Sequence, residues 1–353
     1  VIVDLINALG LEHPATFLAL FLAASFLMIW RLEAMGRHGM EGTALGTLIT
    51  PYCSGLGNLV FVYLILRDHR PGQEVMINCL VNNVTNLMLV LAVPALFWAM
   101  EIIPSAKPKP AAGESSGKGG KSARSRSAAS KKNVGKMETE RRLSRLSLLL
   151  TMGAVAFFTG AVWALGADGK LGFTDGLVLV GLFLFWQSFQ VFDVLKHNIR
   201  QNRSFSGWFY LDFLLVLAGA WVLYESLDWL VHWLETQRTG FVSVAHLGWL
   251  SGWLMVLPNA VLAIYYAKKS RADIVYASQI GDGHICIPLC VGLYALARPM
   301  KLGANFETSV LLLGGALAIH FFCVAVLGRL PKPVAALLIA GYAYFVYDGL
   351  LST

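Results

Sequence analysis

Apolar residues run along this chain in blocks of about twenty, and polar residues fall mostly between the blocks. Roughly 20 predominantly apolar residues let a helix cross the hydrocarbon core of a bilayer. Ten windows meet that length: 14 to 31, 43 to 66, 74 to 101, 146 to 166, 173 to 195, 207 to 235, 243 to 267, 273 to 297, 307 to 328 and 333 to 351. A membrane β-barrel would instead show segments of about ten residues with strict alternation, which are absent. The pattern predicts an all-α polytopic membrane protein of about ten transmembrane helices.

Composition agrees with the pattern. Of 353 residues, 56% are hydrophobic and 14% charged, and the mean hydropathy is +0.62. So few polar residues cannot cover a water-soluble globule. Residues 1 to 13 lack a basic head and a small-residue cleavage site, so no removable targeting segment is expected. The five cysteines (Cys53, Cys79, Cys286, Cys290 and Cys323) all fall inside expected spans, where they should pack as small apolar residues rather than pair.

Charge adds the orientation. The formal net charge is +7, and residues 104 to 145 alone hold twelve Lys and Arg against three Glu. Their Gly, Ser, Ala and Pro content cannot form a packed core, so 104 to 145 reads as a basic, disordered cytoplasmic linker. Its simplest role is a cytoplasmic anchor; contact with anionic lipid headgroups is the next candidate, and nucleic acid is not expected as a partner. Lys and Arg concentrate in cytoplasmic loops of membrane proteins. With the linker inside, Arg31, Arg37, Lys196, Arg200, Arg203, Lys268, Lys269, Arg271, Arg329 and Lys332 also fall inside. The smaller set Arg67, Arg70, Lys170, Arg238, Arg298 and Lys301 falls outside, and both termini are expected outside, in the cell (inner) membrane.

Five crossings per half make two halves that insert in opposite senses, a layout of secondary transporters. The first half is 1 to 103 (helices 1 to 3) with 146 to 200 (helices 4 and 5), and the second half is 201 to 353. Spans two and three correspond in order to spans seven and eight. In each pair a short basic loop, RDHRPG or KKSR, joins helices with polar residues at mid-depth. The first pair carries Asn58, Asn78, Asn82, Asn83 and Asn86; the second carries Asn259, Gln279, Asp282 and His284. Asn58 and Asn259 are 201 residues apart and Asn82 and Asp282 are 200 apart, which one extra residue in the first loop explains.

These windows resemble the cation/calcium exchanger superfamily, whose best-known members are the sodium/calcium exchangers. In that family one helix of each repeat carries a pattern close to Gly-Thr-Ser-x-Pro-Glu, and the next carries Gly-Ser-Asn-x-x-Asn. Here the motifs read LPN, ending at Asn259, followed by GDGHIC from Gly281, and SGLGN, ending at Asn58, followed by VNNVTN from Val81 to Asn86. The resemblance implies two inverted five-helix repeats, transport by alternating access, and two central Glu carboxylates that coordinate calcium. Both Glu positions are Asn here.

That substitution changes the expected chemistry. Calcium takes six to eight oxygen ligands and its affinity rises with the number of carboxylates. Asn keeps an oxygen donor and removes the charge, which leaves Asp282 as the evident acid. A single charge matches a monovalent cation or a proton better than calcium. The resemblance therefore implies an antiporter of inorganic cations, sodium, proton or another monovalent ion before calcium. Its site would comprise Asn58, Asn82, Asn83, Asn86, Asn259 and Asp282, with Ser54, Gln279 and His284 in support. Asp282 and His284 point about 200° apart on a regular helix, and Gly281 and Gly283 allow a break that would bring them together.

Amides in membrane helices also serve simply as interhelical hydrogen-bond partners, worth on the order of 0.6 to 2 kcal/mol each. The rival reading is accordingly a non-transporting membrane subunit that keeps the fold around a degenerate ion site and binds a protein partner. His284, Cys286 and Cys290 make a soft-metal set by composition, but only the two cysteines share a face, so no metal beyond the transported ion is expected. HExxH, phosphate-loop and nucleophile-elbow motifs are absent, and neither an enzyme nor a cofactor is expected.

Overall fold

The apolar windows become helices with ends close to those expected. The computed structural model describes residues 2–37, 52, 55–98, 100–101, 145–198 and 207–351. A short helix, α1 (Ile2–Ala8), precedes α2 (Pro14–Arg37), α3 (Leu56–Arg67) and α4. The helix α4 spans Gln73–Phe97, and α5 spans Arg145–Asp168. Then come α6 (Phe173–Asn198) and α7 (Gly207–Thr236), followed by α8 (Val244–Lys268), α9 (Ala272–Ala297) and α10 (Phe306–Leu327), and last α11 (Lys332–Leu351). Among the described residues nine helices are long and apolar enough to cross a membrane. The chain is an integral, multi-pass, all-α membrane protein.

Two expectations meet the edge of the described residues. The second span, 43 to 66, is seen only from Leu56, as the twelve-residue α3, and Ser54 and Cys53 lie outside the described residues. So does the linker, except that Arg145 already belongs to α5, where its guanidinium reaches the Ala325 carbonyl of α10. A third expectation is met only in part. The regular α-helix does end at Gly281 and resume at Gly283, but Asp282 between them keeps φ −61° and ψ −33°, and its carbonyl accepts from Ile285 and Cys286 at 3.1 and 2.9 Å, so α9 continues in the same direction. The interruption is too slight to join the Asp282 and His284 side chains, and His284 Nδ1 has no hydrogen-bond partner.

The internal symmetry is visible in backbone detail that hydropathy does not encode. Positive φ among non-glycine residues occurs at His69 (59°) and Ser270 (55°), equivalent places in the α3–α4 and α8–α9 hairpins. Amides Arg70 and Arg271 each bond five residues back, both at 3.0 Å. The spacing falls from 201 at these residues to 200 at Asn82 and Asp282, so the extra residue lies in the turn after Arg70, at Pro71–Gly72. Each core helix then widens by one residue per turn, over Asn86–Val90 in α4 and Cys286–Cys290 in α9. At the far ends β1 (Lys170–Leu171) pairs antiparallel with β2 (Met300–Lys301), and Glu101 bridges Arg329 likewise.

The hairpins lie at opposite ends, as inversion requires. Tyr294, near the end of α9, donates its hydroxyl to the Arg70 carbonyl at 2.6 Å, while Lys268 sits 5.8 Å from the Trp98 ring that follows α4.

Burial separates core from periphery. In α4 and α9, 78% of the most apolar window is buried, against 22% in α6 and α7 and 17% in α11. The outward faces of those three helices show Phe185, Phe192, Trp208, Trp221, Leu337 and Tyr347, the surface expected against lipid. Helices inside a membrane gain nothing from apolar burial alone and pack through small residues. Accordingly α8 lies on α4 at Gly252, where a Cβ would come within 2.8 Å of Val81 and 3.0 Å of the Asn78 carbonyl. Likewise α6 meets α9 at Gly176, whose Cβ would stand 2.6 Å from the Leu296 nitrogen.

Candidate functional site

Four helices bring the polar residues of both repeats to one buried place. Asn58 comes from the first turn of α3, and Asn78, Asn82, Asn83 and Asn86 come from α4. Asn259 follows Pro258 inside α8, where proline removes one backbone donor and loosens the helix. Gln279, Asp282 and His284 come from α9. None of these is more than 3% exposed.

Five of the six residues expected to form the site join in one hydrogen-bonded chain. Asn82 Nδ2 donates to Asn58 Oδ1 at 3.1 Å, and Asn86 Nδ2 donates to Asn82 Oδ1 at 2.8 Å. Asn86 Nδ2 also reaches Asp282 Oδ2 at 3.2 Å, crossing from one repeat to the other. Asn259 Nδ2 donates to the same carboxylate oxygen. A buried carboxylate thus sits among amides, the kind of polar surrounding that a charge in low dielectric requires.

The sixth residue plays a different part. Asn83 turns its amide back to the Cys79 carbonyl at 2.7 Å, and its Oδ1 lies 3.0 Å from where a Cβ on Gly283 would be. Asn83 and Gly283 are counterparts 200 residues apart, so the two repeats meet across this pair, close to the axis relating them.

Of the supporting residues, Gln279 is in place: its Nε2 donates to the Asn259 carbonyl at 3.3 Å. His284 is buried with no hydrogen-bond partner for Nδ1 and stands apart from the amide chain. Asn78 binds the Ser251 hydroxyl of α8 at 2.9 Å, an interhelical bond of the ordinary structural sort. Asn78 Oδ1, Asn86 Oδ1 and Gln279 Oε1 are buried oxygens without a hydrogen bond, a rare condition for polar atoms in a protein interior.

A cavity of about 340 Å³ leads along α4 from Gln73 past Ile77 to Leu80 and Val81, the residue before Asn82. His246, Asn305 and Ser309 line it too. Glu74, next to Gln73, accepts from the Gly248 amide at 2.7 Å, so its carboxylate caps the start of α8.

Two residues hold places that the sequence reading did not give them. His320 of α10 is fully buried; its Nε2 lies 2.9 Å from the Leu87 carbonyl, inside the widened turn of α4. A carbonyl can only accept, so Nε2 carries the proton and Nδ1 accepts from the Tyr276 hydroxyl at 3.2 Å. Nothing in an apolar helix announced that contact. Cys286 is the other: it opens the widened turn of α9 as Asn86 opens that of α4. The 200-residue repeat, applied to Asn86, would have found it.

A family model described as sodium/calcium exchanger protein matches residues 15–192. Among solved structures, the sodium-calcium exchanger NCX_Mj soaked with 2.5 mM Na+ and 10 mM Sr2+ is similar over 97% of this chain and 99% of its own, with TM-score 0.63 and 16% identity. The same exchanger soaked with 10 mM Na+ and zero Ca2+ gives 0.62 at 16% identity over the same shares. Soaked with zero Na+ and Ca2+ it gives 0.61, again at 16% identity over 97% and 99%. No curated protein sequence matches the chain.

Proposed function

The chain belongs to the sodium/calcium exchanger protein family, and from that premise we propose that it exchanges a monovalent cation or a proton, rather than calcium, by alternating access. The observation that carries this is the buried chain of one carboxylate and four amides drawn from both repeats. Asp282 supplies the charge; Asn58 and Asn82 supply neutral oxygens, as do Asn86 and Asn259 once their amides turn from the carboxylate; Asn83 holds the contact between repeats. The unbonded oxygens of Asn78, Asn86 and Gln279 support a cation site, since each is a buried acceptor without a donor. One carboxylate balances one positive charge, whereas a divalent ion would leave an excess charge in low dielectric.

The core of α3, α4, α8 and α9 would open to each side in turn. With the linker inside, the cavity along α4 faces outside and both termini lie there. The specific membrane follows the same reading, the cell membrane.

One observation favours a rival. Asn86 and Asn259 already donate to Asp282, so the acid is hydrogen-bonded by protein groups alone, as in a non-transporting subunit.

Reconstitution into proteoliposomes separates the two readings. A panel of sodium, potassium, calcium and proton gradients should drive flux with sodium or protons and not with calcium. Asp282→Asn should lower that flux by about a hundredfold, comparable to the roughly 2.5 to 3.5 kcal/mol a carboxylate involves at the membrane centre. Flux unchanged by Asp282→Asn removes this site, and no gradient-driven flux at all returns the rival.

A further inference from the structure

Away from the amide–carboxylate chain, a second cluster of metal-binding side chains lies where the end of α7 meets the α3–α4 hairpin. Asp68 comes from the hairpin, while His232 and Glu235 stand three residues apart on α7, a spacing that puts both on one face of the helix. One ligand atom of each lies within 4.8 Å of the other two. Such a triangle always holds a point no more than about 2.8 Å from its three corners, so zinc bonds of about 2.1 Å need each atom to move by less than about 1 Å.

Each of the three side chains is already held from behind. His232 Nδ1 lies 2.9 Å from the Asp228 carbonyl and 3.2 Å from the Asp228 carboxylate. Both groups only accept, so Nδ1 carries the proton and Nε2 keeps the lone pair that a metal ion takes. Asp68 receives two bonds from Arg67, at 2.7 and 3.3 Å, and Glu235 is paired with Arg70. A carboxylate offers about four lone-pair sites, so both acids keep positions for an ion while bound to their arginines. An imidazole N–H given to a carbonyl or carboxylate, with ligand carboxylates themselves hydrogen-bonded, is the outer arrangement that orients the ligands of metal sites. Charge points the same way. Asp68, Asp228 and Glu235 stand against Arg67 and Arg70, which leaves one negative charge for a cation. Ion pairing alone accounts for the arginines and acids, but it gives no role to an imidazole within reach of both carboxylates.

We propose that Asp68, His232 and Glu235 bind a zinc ion that clips α7 to the α3–α4 hairpin, with water as the fourth ligand. One imidazole nitrogen and two carboxylate oxygens suit zinc, whereas calcium and magnesium favour sets made of oxygen alone. His232 is exposed, so the ion enters from solvent. The second hairpin lacks the set, because Lys269 stands at the place of Asp68. The site is separate from Asp282 and does not depend on the transport reading.

The full chain, free of any histidine tag and stripped with a chelator, is titrated with Zn2+ at neutral pH in mild detergent. Calorimetry and metal content read the binding. One Zn2+ per chain is expected at this site, with affinity weaker by at least about tenfold in His232→Ala and in Glu235→Gln, and by about tenfold in Asp228→Asn, which keeps all three ligands. Excess Ca2+ should not compete. Amide hydrogen exchange should slow over 67–72 on adding Zn2+ and stay unchanged over 268–271, and the protection should vanish in His232→Ala. No stoichiometric binding in the parent, binding unchanged in both ligand variants, or displacement by equimolar Ca2+ overturns the proposal. Neither readout needs a gradient, so its failure would leave the transport reading standing, and absence of flux would leave this site standing.

Discussion

The two core helices share a backbone and differ in chemistry. In α4 and α9 the hairpin geometry, the widened turns and the closing strands recur about 200 residues apart. The side chains at matched places do not recur. The first repeat offers amides at Asn58, Asn82 and Asn86; the second offers an amide, an acid and a thiol at Asn259, Asp282 and Cys286. Backbone symmetry is what the proposed alternating access would need, because inverted halves can exchange conformations about a fixed site. Side-chain symmetry is not required for that, and its loss places the charge of the site on one half.

Moving the charge tests that division most severely. The double change Asn82→Asp with Asp282→Asn carries the acid to the matched position while keeping its number. If the charge count sets function, gradient-driven flux should recover from the single variant to within about tenfold of the parent. A double variant as inactive as Asp282→Asn would mean that the second half is specialised by more than its acid, and would direct attention to Cys286.

Much of this asymmetry was legible in the sequence, and the part that was not has a physical reason. Apolar length sets helix ends, because a bilayer has a fixed thickness, so nine of the ten windows anticipated the spans to within a few residues; the second is described only from Leu56. Asn58, Asn82, Asn86, Asn259 and Asp282 were legible too, because amides and acids are costly in lipid and rarely placed there without a partner. The place of Cys286 at the start of the widened turn was not, since cysteine is at home in an apolar helix and only the repeat spacing matches it to Asn86. Nor was the widened turn: a helix that inserts one residue shifts the phase of everything after it, and hydropathy is blind to phase in a helix that is apolar on all sides. The interruption at Asp282 was legible from its two flanking glycines, but its small size was not, because glycine permits a break without setting how far the chain departs from the helix.

A smaller effect is expected where the halves support their widened turns differently. In α4 the turn is held from outside, by His320 on the Leu87 carbonyl. In α9 the turn contains Pro288, which lacks the donor that a regular helix would use. His320→Leu leaves the Leu87 carbonyl and the Tyr276 hydroxyl without their partner and should destabilise the protein by about 1 to 3 kcal/mol. Thermal unfolding in detergent measures it, and Pro288→Ala should instead be neutral or stabilising. Equal losses from both changes would show that the two turns depend on the same kind of support.

The smallest expected effect separates the hairpins at the two ends. Asp68 follows α3, and the Arg67 guanidinium bonds its carboxylate at 2.7 Å. Arg67 also binds Asp228 of α7 at 2.7 Å, so the first hairpin is tied to its neighbour by charge. At the second hairpin Lys269 stands where Asp68 stands in the first. The hydrogen bond from Arg67 holds the Asp68 carboxyl below its ordinary range, against a smaller upward push from burial. A carboxyl whose pKa is lower folded than unfolded contributes stability that is complete above its unfolded value of about 3.9. That contribution is lost as pH falls through the lowered folded value. Because the pair is partly exposed, the loss should stay below about 1 kcal/mol and shrink further in high salt. Amide hydrogen exchange over 67–72 and 268–271, followed from pH 5 toward pH 3 after correction for intrinsic rates, should show opening at the first hairpin only. Asp68→Asn should abolish the difference, and matching pH responses at both ends would mean that the Arg67 pair does not hold the first hairpin.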